Sequence, residues 1–147
     1  MNKKRTMGRS EKAVDCFQNC NCCQAVLSVF GPEIGLSQEV CLKLGSGFGS
    51  GMIQGETCGA VTGAYMVLGM KFGPVNQDGA TAAKMKKYIQ HFNQQFIKEQ
   101  GSLVCKELLG VNIATESGRE FANSNQLFEK RCPAFVQTAV MILDLDY

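Results

Sequence analysis

Apolar residues recur at helical spacing along most of the chain, and nowhere do apolar and polar positions alternate over a strand's length between turn signals, so the pattern predicts an all-α fold. The longest amphipathic segment starts near Asp78. There Ala80, Met85, Tyr88, Ile89, Phe92 and Phe96 recur at helical spacing, Lys84, Lys87, Gln94 and Lys98 take other faces, and Gly101 ends the run. A first short helix starts after Ser10, with Ala13, Val14 and Phe17 on its apolar side, and loosens at "QNCN". Asn21 and Gln24 then form the N-x-x-Q variant of a capping box for a second helix, which carries "AVLSVF" to a stop at "GPEIG" and has Cys22 as its first residue. Ser37 caps a third helix, with Val40, Cys41, Leu42 and Leu44, that runs into a glycine-rich stretch.

Beyond that stretch, "CGAVTGAYMVLGMKFG" reads as a helix closed by Gly69 or Gly73 ahead of Pro74. Ser102 caps the short "LVCKELLG", stopped by Gly110, and Ser117 with Glu120 makes a capping box for another short helix. The last helix follows "KRCP", with Pro133 at its first helical position and Phe135, Val136, Ala139, Val140 and Leu143 on one face. The expected architecture is a single compact bundle of about six to seven helices with a Gly-rich turn, spanning residues 11–147 after a basic flexible tail over residues 1–10.

The glycine-rich stretch, "GSGFGSGMIQGETCGAVTG" from Gly45 to Gly63, matches neither nucleotide-binding signature. No Lys-Ser or Lys-Thr pair follows any of its glycines, and the third glycine of G-x-G-x-x-G is missing at the required offset. Its regularity lies elsewhere: Gly47, Gly51, Gly55, Gly59 and Gly63 are spaced by four residues, which on a helix makes one face without side chains. Each interior glycine costs a helix about 1 kcal/mol relative to alanine, so an irregular turn is expected from about Gly45 to Glu56 and a helix from Thr57 or Cys58. Gly59, Ala60, Gly63 and Ala64 then form a flat contact face, for a neighbour within the chain or for a second copy in a homodimer.

Length and composition add bounds. The chain has 147 residues, 45% hydrophobic and 19% charged, enough to bury a core without a metal or disulfides. The net charge of +2 is small and much of the positive charge sits in "MNKKRTMGR", which argues against nucleic acid as a partner. No secretory signal and no transmembrane run stand out, so no membrane insertion is expected and the cytoplasm is the expected location. Eight cysteines are therefore unusual, since a reducing compartment leaves them as thiols unless they bind metal, cycle in redox chemistry or fill core.

Cys22, Cys58, Cys105 and Cys132 all fall in or beside the first turn of an expected helix. Free N–H groups and partial positive charge at helix starts favour a thiolate, and Lys106, Lys130 and Arg131 add charge nearby in sequence. Cys16, Cys20 and Cys23 would share one stripe of a continuous helix and Cys41 lies among apolar residues, so these four read as core or spare thiols. The C-x2-4-C pairs of structural zinc sites are missing from the four helix-start positions, and His91, between Gln90 and Asn93, has no assigned role.

Together, "NCCQAVL" with Cys22, "GSGFGSGM" and "GETCGAVTGA" with Cys58, "CKELLG" with Cys105 and "CPAFVQTAV" with Cys132 resemble the C_GCAxxG_C_C family, named for its four cysteines. The resemblance runs from about Ala13 over nearly the whole chain, and departs from the pattern where Cys23 stands in place of a small residue, leaving Cys22 and Cys23 as competing first sites. It implies redox chemistry at the four positions. Selenoprotein members favour a reactive sulfur or selenium, whereas similar domains attached to haem-binding modules favour electron transfer. Two chemistries follow: four thiolates holding a 2Fe-2S cluster or another iron centre, or thiol–disulfide cycling with a redox partner protein. The alternative from another class is a non-catalytic structural or interaction protein whose cysteines fill the core.

Overall fold

The protein is described by a computed structural model covering residues 6–76 and 78–147. Within them lie eight α-helices: α1 (Arg9–Phe17), α2 (Cys22–Ile34), α3 (Gln38–Gly45), α4 (Gly59–Phe72), α5 (Gly79–Gln100), α6 (Cys105–Leu109), α7 (Glu116–Ser124) and α8 (Leu127–Asp146). The all-α expectation holds, the short α6 and α7 standing as separate helices. One isolated antiparallel bridge, Thr57 to Val104, is the extended pairing among the described residues.

The centre of the bundle is the pair α2 and α4. Each is apolar nearly all round and buried on most sides, as a core helix must be: Val26, Leu27 and Phe30 on α2, and Val61, Ala64, Val67 and Leu68 on α4, have no exposed surface. Their backbones come close because α4 carries glycine where α2 passes. A Cβ on Gly59 would lie 2.3 Å from Cys22 Sγ, and one on Gly63 would lie 3.0 Å from the Cys23 carbonyl oxygen. The face expected to serve a neighbour is thus used inside the chain.

Other helices wrap this pair. The start of α2 is fixed by the expected reciprocal cap, in which Asn21 Oδ1 accepts from the Gln24 N–H at 2.9 Å and Gln24 Oε1 accepts from the Asn21 N–H at 2.8 Å. The same two side chains reach α3, Asn21 Nδ2 donating to the Gly45 carbonyl and Gln24 Nε2 to that of Leu42. From the other side, α1 is held by Arg9, whose guanidinium lies 4.3 Å from the Phe30 ring centre and pairs with Glu33 of α2 and Asp144 of α8. The long α5 docks through the stacked, fully buried Phe92 and Phe96, a burial worth about 1.5–3 kcal/mol for each ring.

Several boundaries differ from the sequence reading. Helix α1 starts at Arg9, inside the stretch read as a tail, while the part of that tail at residues 1–5 lies outside the described residues. Helix α2 continues through Gly31 and Pro32 to Ile34 before Gly35, at φ 76°, closes it. Burial of Phe30, Gly31 and Ile34 against the core outweighs the one hydrogen bond that Pro32 removes. Thr115 rather than Ser117 caps α7, accepting from the Gly118 N–H at 3.0 Å. The Ser102 hydroxyl accepts from the Val104 N–H, so α6 starts at Cys105 without a side-chain cap.

The largest difference is in α8. It begins at Leu127 and runs straight through Pro133, which places Cys132 in the second turn rather than at a helix start. The carbonyl that Pro133 leaves without a helical donor belongs to exposed Glu129, where water can serve. The apolar face of Phe135, Val136, Ala139, Val140 and Leu143 extends far enough to hold the helix on the core despite the proline.

The α2–α4 contact makes a paired prediction. Gly59→Ala should destabilise the fold by about 1–3 kcal/mol, because its methyl meets Cys22 Sγ and backbone atoms, whereas Gly69→Ala on the same helix, with nothing within 4 Å, should be neutral or stabilising by up to about 1 kcal/mol. Urea unfolding of the two variants measures the difference directly.

Candidate functional site

Three short segments meet at one end of the α2–α4 pair. The Thr57–Val104 bridge aligns the chain before α4 with the chain before α6: the Cys58 N–H donates to the Leu103 carbonyl at 2.8 Å and the Cys105 N–H to the Glu56 carbonyl at 2.6 Å. Cys58 is thereby the N-cap residue of α4 and Cys105 the first residue of α6. Cys22, the first residue of α2, is brought against Cys58 by the glycine contact at Gly59. Cys132 arrives from α8, and the four thiols border one cavity of about 510 Å³. Phe17, Leu108, Phe128 and Phe135 give the cavity an apolar wall.

The glycine-rich stretch adds Ser50 to the cavity lining, and its conformation is unusual. Ser50, Gly51, Met52 and Ile53 all have positive φ, between 54° and 63°, forming a left-handed turn that closes when the Glu56 N–H donates to the Gly51 carbonyl at 3.1 Å. L-residues with side chains pay about 1–2 kcal/mol each for this region, and β-branched Ile53 is the least suited. The turn is squeezed against the site: a Cβ on Gly51 would lie 2.5 Å from the Glu56 nitrogen and 2.8 Å from Cys105 Cβ. The turn brings the Ser50 backbone to Cys22, where it favours the thiolate.

The electrostatics single out one thiol. The Cys58 thiol, donating to the Cys22 sulfur, draws the Cys22 pKa below its ordinary value to about 7, helped by the N–H groups of Ser50, Cys23 and Cys22 itself against the opposing effect of burial. Cys58 is correspondingly held protonated, by its hydrogen bond to Cys22, by burial and by the charge on Cys22. Burial pushes Cys105 up to about 12, with the Cys22 charge adding and the Arg119 guanidinium opposing, and burial likewise raises Cys132. Helix starts were expected to favour thiolates at four positions, but only at Cys22 do the Cys58 thiol and, after it, the backbone N–H groups together overcome desolvation.

Of the two competing first sites, Cys22 borders the cavity and Cys23 does not. Cys23 has no exposed surface, its sulfur interacts with the Thr62 hydroxyl, and burial pushes it up to about 12. Cys41 packs beside Gly31, also fully buried. Cys20, read from the sequence as a spare thiol, lies on the cavity wall. Lys106 turns to Glu56, 3.4 Å away, and it is Arg119 that bears on Cys105; a residue fourteen positions away in sequence carries no local sign of this. His91 Nε2 is 2.8 Å from Asp146 Oδ2 on the exposed side of α5, and His91 is not among the residues lining the cavity. Among the described residues, no three Cys, His, Asp or Glu side chains form a group that could hold a metal ion.

Residues 20–145 match the family described as "Putative redox-active protein (C_GCAxxG_C_C)". No curated protein and no solved structure matches the chain. No helix among the described residues is long and apolar enough to cross a membrane.

Two predictions follow from the turn and the charge it supports. Since Cys22 is depressed to about 7 from 9.0, its contribution to stability is full above pH 9 and is lost as the pH falls through 7, a swing of up to about 3 kcal/mol. The thiols raised by burial act oppositely, favouring the fold below pH 9 and withdrawing support towards pH 12, so the thiol part of the stability curve should peak near pH 9. Denaturant midpoints across that range, and an iodoacetamide rate at Cys22 with a midpoint near 7 that rises in Cys58→Ala, are the measurements. Separately, Ile53→Gly should stabilise the protein by about 0.5–1 kcal/mol, because glycine accepts φ 63° and Ile53 is 59% exposed, leaving little packing to lose.

Proposed function

The chain belongs to the C_GCAxxG_C_C family, and from that premise we propose that it is a thiol–disulfide redox protein in which Cys22 is the attacking thiolate and Cys58 its resolving partner. The observation carrying this reading is that Cys22 meets the start of α4 at Gly59, next to Cys58, and that both thiols border one cavity, with Cys22 drawn towards the thiolate and Cys58 held protonated. A pKa near ambient pH suits an attacking thiol, because thiolate fraction and nucleophilicity are then both substantial.

The step balances with a disulfide substrate, R–S–S–R. The Cys22 thiolate attacks one substrate sulfur, the S–S bond breaks, and the departing thiolate takes the Cys58 proton. The Cys58 sulfur then attacks Cys22, the mixed disulfide breaks, and the second thiolate leaves to take a proton from water. Two electrons pass from the protein to the substrate, which becomes two thiols, while a Cys22–Cys58 disulfide forms. Ser50 and Cys23 N–H groups hold the negative charge at Cys22 before attack. A dithiol partner protein in a reducing compartment such as the cytoplasm would complete the cycle by reversing the exchange.

A second reading rests on the four thiols around one cavity: Cys22, Cys58, Cys105 and Cys132 have the chemistry of a 2Fe-2S ligand set, which when bound supplies one-electron transfer. The spacing of donors does not form a metal-sized group, so no step is routed through iron. Cys105 and Cys132, protonated in the dithiol reading, are the residues that separate the two.

Oxidised glutathione is the test substrate. We expect a Cys22–Cys58 disulfide on peptide mapping, a Cys22–glutathione adduct as the first product in Cys58→Ser, and neither species in Cys22→Ser. Anaerobic purification giving a coloured protein with stoichiometric iron, lost in Cys105→Ser, would instead establish the cluster. A colourless protein whose Cys22 does not exchange would leave neither.

A further inference from the structure

We infer that Cys16 and Cys20 form a second dithiol–disulfide site, at the cavity mouth, that exchanges disulfide with the Cys22–Cys58 couple. The inference rests on the dithiol reading above for its exchange step, but the pair stands on its own geometry. Helix α1 ends at Phe17, and the turn after it folds back so that Cys20 Sγ lies 3.1 Å from Cys16 Sγ and 2.9 Å from the Cys16 carbonyl oxygen, to which it donates. A disulfide needs about 2 Å between sulfurs, so an approach of about 1 Å by Cys20, in the turn after α1, closes the bond onto Cys16 in the last turn of that helix. Neither residue belongs to the motif that names the family.

The position of the pair relative to the cavity supplies the second observation. Cys20 borders the same cavity as Cys22, and burial first, then Cys16 and least the Cys22 charge keep its thiol protonated until it attacks. Cys16 is not on the cavity lining; both residues are half-buried, whereas Cys22 and Cys58 are buried. The pair therefore stands between the buried couple and solvent, where a partner too large for the cavity can reach it.

The exchange balances within the protein. The Cys20 sulfur, giving up its proton, attacks Cys22 of the Cys22–Cys58 disulfide; that S–S bond breaks, a Cys20–Cys22 bond forms, and Cys58 takes the proton. Cys16 then attacks Cys20, its proton passing to the departing Cys22 sulfur. Two electrons move from the outer pair to the inner one, which is returned to its dithiol form. An external dithiol reduces the Cys16–Cys20 disulfide and completes the cycle.

The full chain, equilibrated in glutathione redox buffers, acid-quenched and mapped by differential alkylation and mass spectrometry, tests both parts. In Cys58→Ser, which lacks the inner disulfide, a Cys16–Cys20 disulfide is expected; if both residues there remain fully alkylatable under oxidised glutathione, the second site is overturned, whatever the inner couple does. In Cys16→Ser, oxidation should accumulate a Cys20–Cys22 cross-link, because the resolving sulfur is gone. A Cys16→Ser protein that forms Cys22–Cys58 but no Cys20–Cys22 cross-link overturns the exchange. If Cys22–Cys58 itself fails to form in a Cys16→Ser/Cys20→Ser double variant while Cys58→Ser still forms Cys16–Cys20, the outer site is supported and the failure falls on the reading of the inner couple.

Discussion

The approach of α4 to α2 at Gly59 and Gly63 is the constraint on which the rest of this structure depends. Where one helix presents no side chain, the other can lay its first residues directly against it, and here those residues are Cys22 and Cys23. The contact does two things at once. It buries the two most apolar helices against each other, giving the bundle its core, and it sets the first turn of α2 beside the N-cap of α4, where Cys58 stands. A single methyl group at Gly59 would occupy the space of the Cys22 sulfur. Stability and chemistry are therefore tied to the same few cubic ångströms.

Around that contact the chain accepts local cost in exchange for placement. Four consecutive residues with positive φ are an expensive way to make a turn, and three of them carry side chains that disfavour it. What the turn provides is the Ser50 backbone beside Cys22, where it favours the thiolate of a sulfur otherwise almost wholly removed from water. Desolvation alone would raise every thiol at the cavity, as it does at Cys105 and Cys132; the balance reverses only where several donors converge on one atom. One thiolate among protonated neighbours is an arrangement for directional sulfur chemistry, and it distinguishes Cys22 from the other thiols that border the cavity.

Much of the frame was legible in the sequence because its signals are local. The Asn21–Gln24 capping box, the Ser37 cap, the helix start near Asp78, and the glycines that close α5 and α6 each concern atoms within a few residues, and each was found where the pattern put it. Reading failed where tertiary packing overrode a local rule. Pro133 looked like a helix start because a proline costs an interior hydrogen bond, but the apolar face that continues past it supplies more than that bond. Cys132 was consequently placed at a helix N-terminus that does not exist, and it reaches the cavity from the side of α8 instead.

For the candidate site, the sequence by itself determined the parts: an all-α chain, a glycine face at four-residue spacing, and cysteines at the starts of α2, α4 and α6. These follow from periodicity and capping, which depend on neighbours in the chain. Only the tertiary structure decided which thiols face a common cavity, that Cys22 rather than Cys23 is among them, and that Cys20 joins them. It also decided which sulfur carries the charge, since a pKa is set by desolvation and by donors drawn from distant segments, and neither Ser50 over Cys22 nor Arg119 near Cys105 leaves a trace in local sequence.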